Sequence, residues 1–177
     1  ATRNIRNRIN PVIHGGGHEE GLRSGSPNVV GVVGFGEAAR LAITDGPEDM
    51  ARVKPLRDQL TERLTSQLPD SHQIGDTSYR LPNTLSIRFP DTDAQAIMIN
   101  APDVSMSTGS ACSAGAIEPS AVLTAMGVGR DEAFEVLRLS LGRFTTAEDI
   151  NTAAESIVRA VQYVRSVTQQ ERTDATI

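Results

Sequence analysis

Cysteine is scarce in this sequence, because Cys112 is the only one among 177 residues. An intramolecular disulfide is therefore impossible, so the fold does not depend on an oxidising compartment, and a cytoplasmic location is the simplest interpretation. Long apolar runs are also absent: no stretch approaches the roughly 18 residues that a membrane-spanning helix requires. No basic segment followed by an apolar one marks a secretory signal. We therefore expect neither a membrane partner nor an exported protein.

Basic residues are too few and too scattered to form a binding surface for nucleic acid. Lysine and arginine together number 17 against 22 acidic residues, which gives a formal net charge of -5. Binding to a phosphate backbone requires a cluster of positive charge, so direct contact with nucleic acid is not expected. Lysine is especially rare, since Lys54 is the only one.

Helical and strand patterns alternate along the chain, which is typical of an α/β or α+β layer structure. We predict a buried helix over Val29–Ile43 with Asn28 as its N-cap, because this segment is mostly apolar and rich in alanine. A long amphipathic helix is predicted to follow over residues 46–68, and Pro55 should either kink it or mark its first turn. Shorter helices are expected over residues 93–101 and from Pro119 to a stop at Gly127.

Three strands and a final helix complete the predicted elements. Alternating apolar and polar residues predict strands over residues 85–89 and 137–141, and a shorter strand is expected over residues 104–107. In the strand over residues 137–141, Arg138 should lie on the face opposite the leucines. Thr145 and Glu148 are predicted to form a capping box at the start of the last helix. The polar residues after Val167 are predicted to be a disordered tail.

Cys112 lies among small residues, from Ser107 to Gly115, between two structured elements. A lone cysteine is usually a small buried apolar residue. Nothing in this segment is bulky enough to bury a thiol, however, and an exposed thiol on a loop can be a nucleophile if its pKa is lowered. Arg138 leaves two interpretations open: a solvated surface residue, or a clamp that holds a carboxylate through two hydrogen bonds.

Glycines and histidines near the N-terminus suggest two further kinds of site. The segment from Gly15 to Ser26 precedes a predicted helix and could hold a phosphate through backbone N–H groups, although glycine-rich loops are common. His14 and His18 have a spacing that would suit a metal ion on a helix. The three glycines between them make a helix improbable, and no other Cys or His completes a set of ligands, so we expect no metal site. His72 falls in a polar loop and is expected to be exposed.

Five segments, taken together, resemble one family. They are His14–Ser26, Leu81–Ser86, Ser107–Cys112, Glu118–Ser120 and Arg138–Thr146, and they follow the order and spacing of motifs in pyridoxal-phosphate-dependent cysteine desulfurases. The resemblance covers nearly the whole chain. The Gly-Ser-Ala-Cys form of the cysteine segment is similar to the branch of the family that has a long mobile loop and passes sulfur to partner proteins.

The resemblance implies a fold, a cofactor and a reaction. Members of the family are homodimers with the class V aminotransferase fold, and they bind pyridoxal 5'-phosphate in a large domain. They convert L-cysteine to L-alanine. By its place in the motif, Cys112 would take the sulfur as a persulfide and pass it to an acceptor protein. Arg138 matches the residue that holds the substrate carboxylate, and Ser26 matches the position, usually threonine, whose hydroxyl reaches the cofactor phosphate of the neighbouring subunit.

One departure from the family concerns lysine. The family's lysine that forms the Schiff base with the cofactor would precede residue 1, and Lys54 is wrongly placed for that role. We therefore expect the C-terminal half of a fold-type I enzyme, α/β with a small α+β domain. The expected parts are residues 1–45, the end of the large domain; 46–68, a connecting helix; 69–167, the small domain; and 168–177, a tail.

Two alternatives remain open at this stage. The first is another class V enzyme that uses the same cofactor, such as a selenocysteine lyase. The second is a non-catalytic module that accepts sulfur or mediates dimerisation without the cofactor. The sequence does not reveal where the sulfur goes, because iron–sulfur cluster assembly, tRNA thiolation, thiocofactor synthesis and DNA sulfur modification all draw on such enzymes.

Overall fold

A computed structural model of the chain describes residues 9–108 and 118–174. The chain divides into two units, residues 1–46 and residues 47–177. The first unit contains a glycine-rich segment and one helix. The second contains a four-stranded sheet and the remaining helices. The described elements are mixed helix and strand, in agreement with the predicted fold class.

The first unit leads from a glycine-rich segment into helix α1 (Val29–Thr44). Gly17 and Gly25 have φ angles of 77° and 91°, a left-handed conformation that glycine adopts without a steric penalty. Between them lies a short turn, His18–Gly21. The Asn28 side chain accepts a hydrogen bond from the Gly31 N–H at 3.0 Å, which confirms the predicted N-cap.

Helix α1 was predicted to be buried, and this expectation is wrong for the described structure. None of its residues is buried, and Val30 and Phe35 are 84% and 78% exposed. A helix with so many apolar side chains needs a covering surface if it is to be buried. No other described part of the first unit provides that cover.

Helix α2 (Gly46–Gln67) is the long amphipathic helix that the spacing predicts. Its apolar face is buried at Val53, Leu60 and Leu64. Pro55 does not mark its first turn, because the helix begins nine residues earlier and runs through it. Proline cannot donate to the carbonyl four residues before it, here that of Ala51. Both residues are exposed, so water can bond to that carbonyl group.

The sheet in the second unit is antiparallel, with strand order β1-β2-β4-β3. The strands are β1 (His72–Gln73), β2 (Thr84–Arg88), β3 (Ser107–Thr108) and β4 (Val136–Ser140). The two longer strands, β2 and β4, were predicted to within one residue. The third predicted strand lies later than expected, at β3, and His72 is exposed as predicted but belongs to β1 rather than to a loop.

The core of the second unit combines the sheet with three helices. Leu85 and Ile87 of β2 pair with Leu139 and Leu137 of β4, and all four side chains are buried. They form one apolar cluster with residues of α2, of helix α3 (Ala94–Asn100) and of the C-terminal helix. The core therefore fixes which side of β4 faces inwards and which faces outwards.

Three short helical segments connect the strands. Helix α3 begins after Asp93, whose carboxylate accepts a hydrogen bond from the Ala96 N–H at 2.8 Å. Helix α4 (Ala121–Ala125) begins after Ser120 rather than at Pro119, and Gly127 ends it in a left-handed conformation as predicted. A 3₁₀ helix, Glu132–Glu135, leads into β4.

The C-terminal helix α5 (Ala147–Asp174) corrects two expectations. Its capping box lies one residue later than predicted, since the Thr146 and Asp149 N–H groups each donate to the side chain of the other residue. The Thr145 hydroxyl instead accepts from the Gly142 N–H at 3.0 Å. The helix also continues beyond Val167, where a disordered tail was expected, because the Gln, Glu and Arg residues that follow are good helix formers.

Candidate active site

Arg138 projects from the outer face of a central strand. It lies in the middle of β4, between the buried Leu137 and Leu139, and its own side chain is exposed, as predicted. Its cross-strand neighbours are Ser86 on β2 and Ser107 on β3. Directly paired residues share a face of the sheet, so the guanidinium group stands between two short hydroxyl side chains.

An open depression of about 250 Å³ surrounds this arginine. It is lined by Ser105, Met106, Ser107, Arg138 and Ser140. No carboxylate of the described residues forms an ion pair with Arg138, although most other arginines in the second unit have such a partner. An unpaired guanidinium group among hydroxyls can bind a carboxylate through two parallel hydrogen bonds. The sequence analysis did not identify the three serines as site residues. Alternation along β4 places Ser140 on the same face as Arg138, whereas Ser107 is brought there only by the pairing of β3 with β4.

Cys112 lies outside the described residues. The last described residue before it is Thr108 at the end of β3, which pairs with Leu137 beside Arg138. The chain is described again from Glu118, whose carboxylate accepts a hydrogen bond from Arg130 at 3.0 Å. Thr108 follows Ser107, a lining residue of the depression around Arg138, directly in sequence.

Ser26 belongs to the first unit, whereas Arg138 belongs to the second. The Arg23 guanidinium group donates to three successive carbonyl oxygens, those of Ser24, Gly25 and Ser26, at 3.3, 3.1 and 3.0 Å. Ser24 is buried and its N–H donates to the Ile13 carbonyl group at 3.1 Å. These bonds fix the backbone, while the Ser26 residue is exposed and its hydroxyl has no partner within the described ranges.

A network of polar contacts holds the segment after β4 against helix α2. Arg52 donates to the carbonyl oxygens of Thr145, at 2.9 Å, and of Arg143. Asp49 forms an ion pair with Arg143 at 3.2 Å, and the Arg143 guanidinium group lies 5.4 Å from the centre of the Phe144 ring. These contacts fix the end of β4 and thereby the strand that carries Arg138.

Other candidate ligands do not assemble into a site. Over residues 9–108 and 118–174, no group of three or more His, Cys, Asp or Glu side chains could hold a metal ion. Lys54 is exposed on α2. Among the helices of the described ranges, none has the length and apolar character that crossing a bilayer requires.

Comparison with known proteins gives consistent results. The family model for aminotransferase class-V matches residues 5–152. The chain is 47% identical to a cysteine desulfurase from Frankia sp. (strain EuIK1), over 96% of this chain and 41% of that protein. It is 40% identical to the cysteine desulfurase IscS from Anaeromyxobacter sp. (strain Fw109-5), over 93% of this chain and 41% of that protein.

A solved structure has the same fold as this chain. The X-ray structure of a NifS-like protein from Rickettsia africae ESF-5 has a TM-score of 0.74 and 35% identity, and the match covers 87% of this chain and 40% of that one. The chain thus spans about two fifths of the length of the relatives that it matches.

Proposed function

Because this chain belongs to the aminotransferase class-V family, we propose that the complete protein is a cysteine desulfurase. It would convert L-cysteine to L-alanine and hold the sulfur as a persulfide on Cys112. The observation that carries this proposal is that Arg138, which has no carboxylate partner among the described residues, lies in a serine-lined depression beside the strand that precedes Cys112 in the sequence. The identity to proteins named cysteine desulfurase supports it.

Arg138 would hold the substrate by its carboxylate group. A planar guanidinium group matches the two oxygens of a carboxylate, and the neighbouring Ser105 and Ser107 offer further hydrogen-bond donors. Binding at this end would orient the amino acid so that its side chain can approach a thiol from the following segment. Arg138 is thus proposed to determine both affinity for cysteine and its orientation.

Cys112 would act as the nucleophile. Its thiolate would attack the substrate sulfur, so that an S–S bond forms as the bond between the substrate's Cβ and sulfur breaks. The electron pair of the broken bond stays with the carbon, which takes up a proton to give alanine. Cys112 lies four positions after Thr108 in the sequence, a length of chain that can span at most roughly 14 Å. Cys112 would therefore lie within that distance of Thr108 on the strand beside Arg138.

The proposed cofactor is pyridoxal 5'-phosphate, which when bound supplies an electron sink next to the substrate amine. The residues present fit one end of this group, because the Ser26 hydroxyl is exposed, has no partner among the described residues and suits a phosphate. Lys54, exposed on α2, does not fit as its covalent anchor. We propose that the lysine that holds the cofactor covalently lies in the part of the complete protein that this chain does not cover.

Two partners follow from the same proposal. Ser26 would serve the cofactor phosphate of a second copy, which makes the enzyme a homodimer. An acceptor protein would collect the sulfur from Cys112. The overall acidic charge favours a protein acceptor over nucleic acid.

The proposal is tested by the products formed from cysteine. The complete protein, supplied with pyridoxal 5'-phosphate and a thiol reductant, is expected to release alanine and sulfide in equal amounts from L-cysteine. Faster turnover of L-selenocysteine with no sulfide from cysteine would favour a selenocysteine lyase. If neither substrate yielded alanine, the result would favour the interpretation as a non-catalytic module. A control without reductant should release alanine only once per active site, because the persulfide is not cleared.

A further inference from the structure

Three arginines of the second unit are buried to almost the same degree, and two of them are fully paired. The side chains of Arg80, Arg88 and Arg165 are 20%, 19% and 19% exposed. Arg88 donates to Glu132 at 2.6 Å and to Glu135 at 2.5 Å. Arg165 donates to both oxygens of Asp70, at 3.1 and 2.6 Å, and to the Pro90 carbonyl oxygen at 3.1 Å.

Arg80 differs from the other two in its partners. Its one contact with a carboxylate is a long one, from Nη2 to Asp58 Oδ1 at 3.5 Å. Its Nε and Nη1 atoms are buried and have no hydrogen-bond partner among the described residues. Buried N–H donors are nearly always paired in folded proteins. Two buried donors without a partner on one side chain therefore indicate a missing acceptor.

The carboxylate that Arg80 contacts is already used by another arginine. Asp58 Oδ1 accepts hydrogen bonds from Arg57 Nε at 2.9 Å and from Arg57 Nη2 at 2.5 Å. The Arg57 side chain is only 3% exposed, so it depends on this partner. Two guanidinium groups therefore share one carboxylate, which leaves one positive charge uncompensated. Burial and the nearby charge of Arg57 lower the pKa of Arg80 below its usual range.

We propose that Arg57, Asp58 and Arg80 form a binding site for a second carboxylate, which pairs with Arg80. The ligand would accept hydrogen bonds from Nε and Nη1 of Arg80, as Glu135 and Glu132 do for Arg88. The Arg80 side chain is partly exposed, so a rotation about its own bonds would let a ligand reach these two donors from solvent. The carboxylate comes either from an acidic side chain of a polypeptide outside the described residues or from a small free carboxylate. This site is separate from the one proposed for cysteine.

A matched pair of variants tests whether Arg80 lacks a carboxylate of its own. Arg88→Gln removes an arginine that two carboxylates pair, so its thermal midpoint is expected to fall by several degrees. Arg80→Gln removes an uncompensated charge of equal exposure, so its midpoint in the 177-residue chain should stay unchanged or rise. An equal fall in both variants would show that Arg80 is already satisfied within this chain, and would overturn the proposal.

Nuclear magnetic resonance then detects the ligand on the arginine itself. The Nε–H signal of Arg80, identified by its loss in Arg80→Gln, is followed in arginine-labelled protein as succinate is added at constant ionic strength. A saturable shift in the 177-residue chain, with no change at Arg88, supports the site and a small carboxylate as a sufficient ligand. In the complete protein, a signal already shifted before succinate is added identifies a polypeptide carboxylate. No shift in either protein contradicts the proposal.

Discussion

Replacement of Cys112 by alanine in the complete protein is expected to abolish sulfide release from L-cysteine. If this thiol is the nucleophile, its removal should lower turnover roughly a thousandfold or more, because removing a covalent nucleophile eliminates the reaction path itself. Cysteine should still bind, and the visible spectrum of the bound cofactor should still change when cysteine is added. The measurement is steady-state production of alanine and sulfide, together with an absorbance titration.

A matched variant in the same segment separates the thiol from its surroundings. Ser113→Ala changes the adjacent residue by one hydroxyl and should leave turnover within about twofold, since this hydroxyl has no part in the proposed reaction. A Cys112→Ala enzyme that released sulfide at the normal rate would show that the thiol takes no part. Equal losses of turnover in both variants would show that the effect comes from disturbing this segment rather than from removing the sulfur atom.

Arg138→Lys is expected to weaken the use of cysteine even though the positive charge is kept. An ammonium group cannot copy two parallel hydrogen bonds to a carboxylate, and the loss of one charge-assisted bond corresponds to roughly a ten- to hundredfold change in affinity. The effect should appear mainly in KM, because Arg138 is proposed to bind the substrate rather than to react with it. Steady-state kinetics with L-cysteine measures it.

Arg130 provides the control for this substitution. Its side chain is 61% exposed, and it pairs with Glu118 at the surface. Arg130→Lys should therefore leave both kcat and KM nearly unchanged, because exposed ion pairs contribute little. If Arg138→Lys behaved in the same way as Arg130→Lys, the depression around Arg138 would not be the substrate site.

Local patterns were sufficient to locate the main elements of the fold. The alternation at Leu85 and Ile87, and again at Leu137 and Leu139, defines the two longer strands and the face that each buries. The spacing of Val53, Leu60 and Leu64 defines the apolar face of α2. These patterns are reliable because each strand or helix must turn one side towards the same core.

Expectations that depend on distant contacts were less successful. The apolar sequence of α1 predicts a helix correctly, but burial depends on a covering surface that no local pattern reveals. The capping box begins at Thr146 rather than at the predicted Thr145, because the Thr145 hydroxyl accepts a hydrogen bond from the Gly142 N–H. The sequence alone does not distinguish the two threonines, since their side chains are identical. The length of α5 was underestimated, because a polar composition alone does not distinguish an exposed helix from a disordered tail.

The candidate site shows the same limit. The strand pattern predicts that Arg138 faces away from the core, and the structure confirms it. Ser86 and Ser107 come from other strands, so their position beside Arg138 depends on strand pairing between residues far apart in sequence. Likewise, no local pattern distinguishes Arg80 from Arg88, because only the folded chain reveals which carboxylates each one reaches.

The central claim, that Cys112 carries the sulfur, is tested most directly by the mass of the peptide that contains it. The complete protein with its cofactor is allowed a single turnover with L-cysteine, its thiols are blocked without reduction, and it is digested. We expect the Cys112 peptide to gain one sulfur atom, in an amount equal to the alanine released, and to lose that sulfur when reductant is added. Formation of alanine with an unmodified Cys112 peptide would contradict the account.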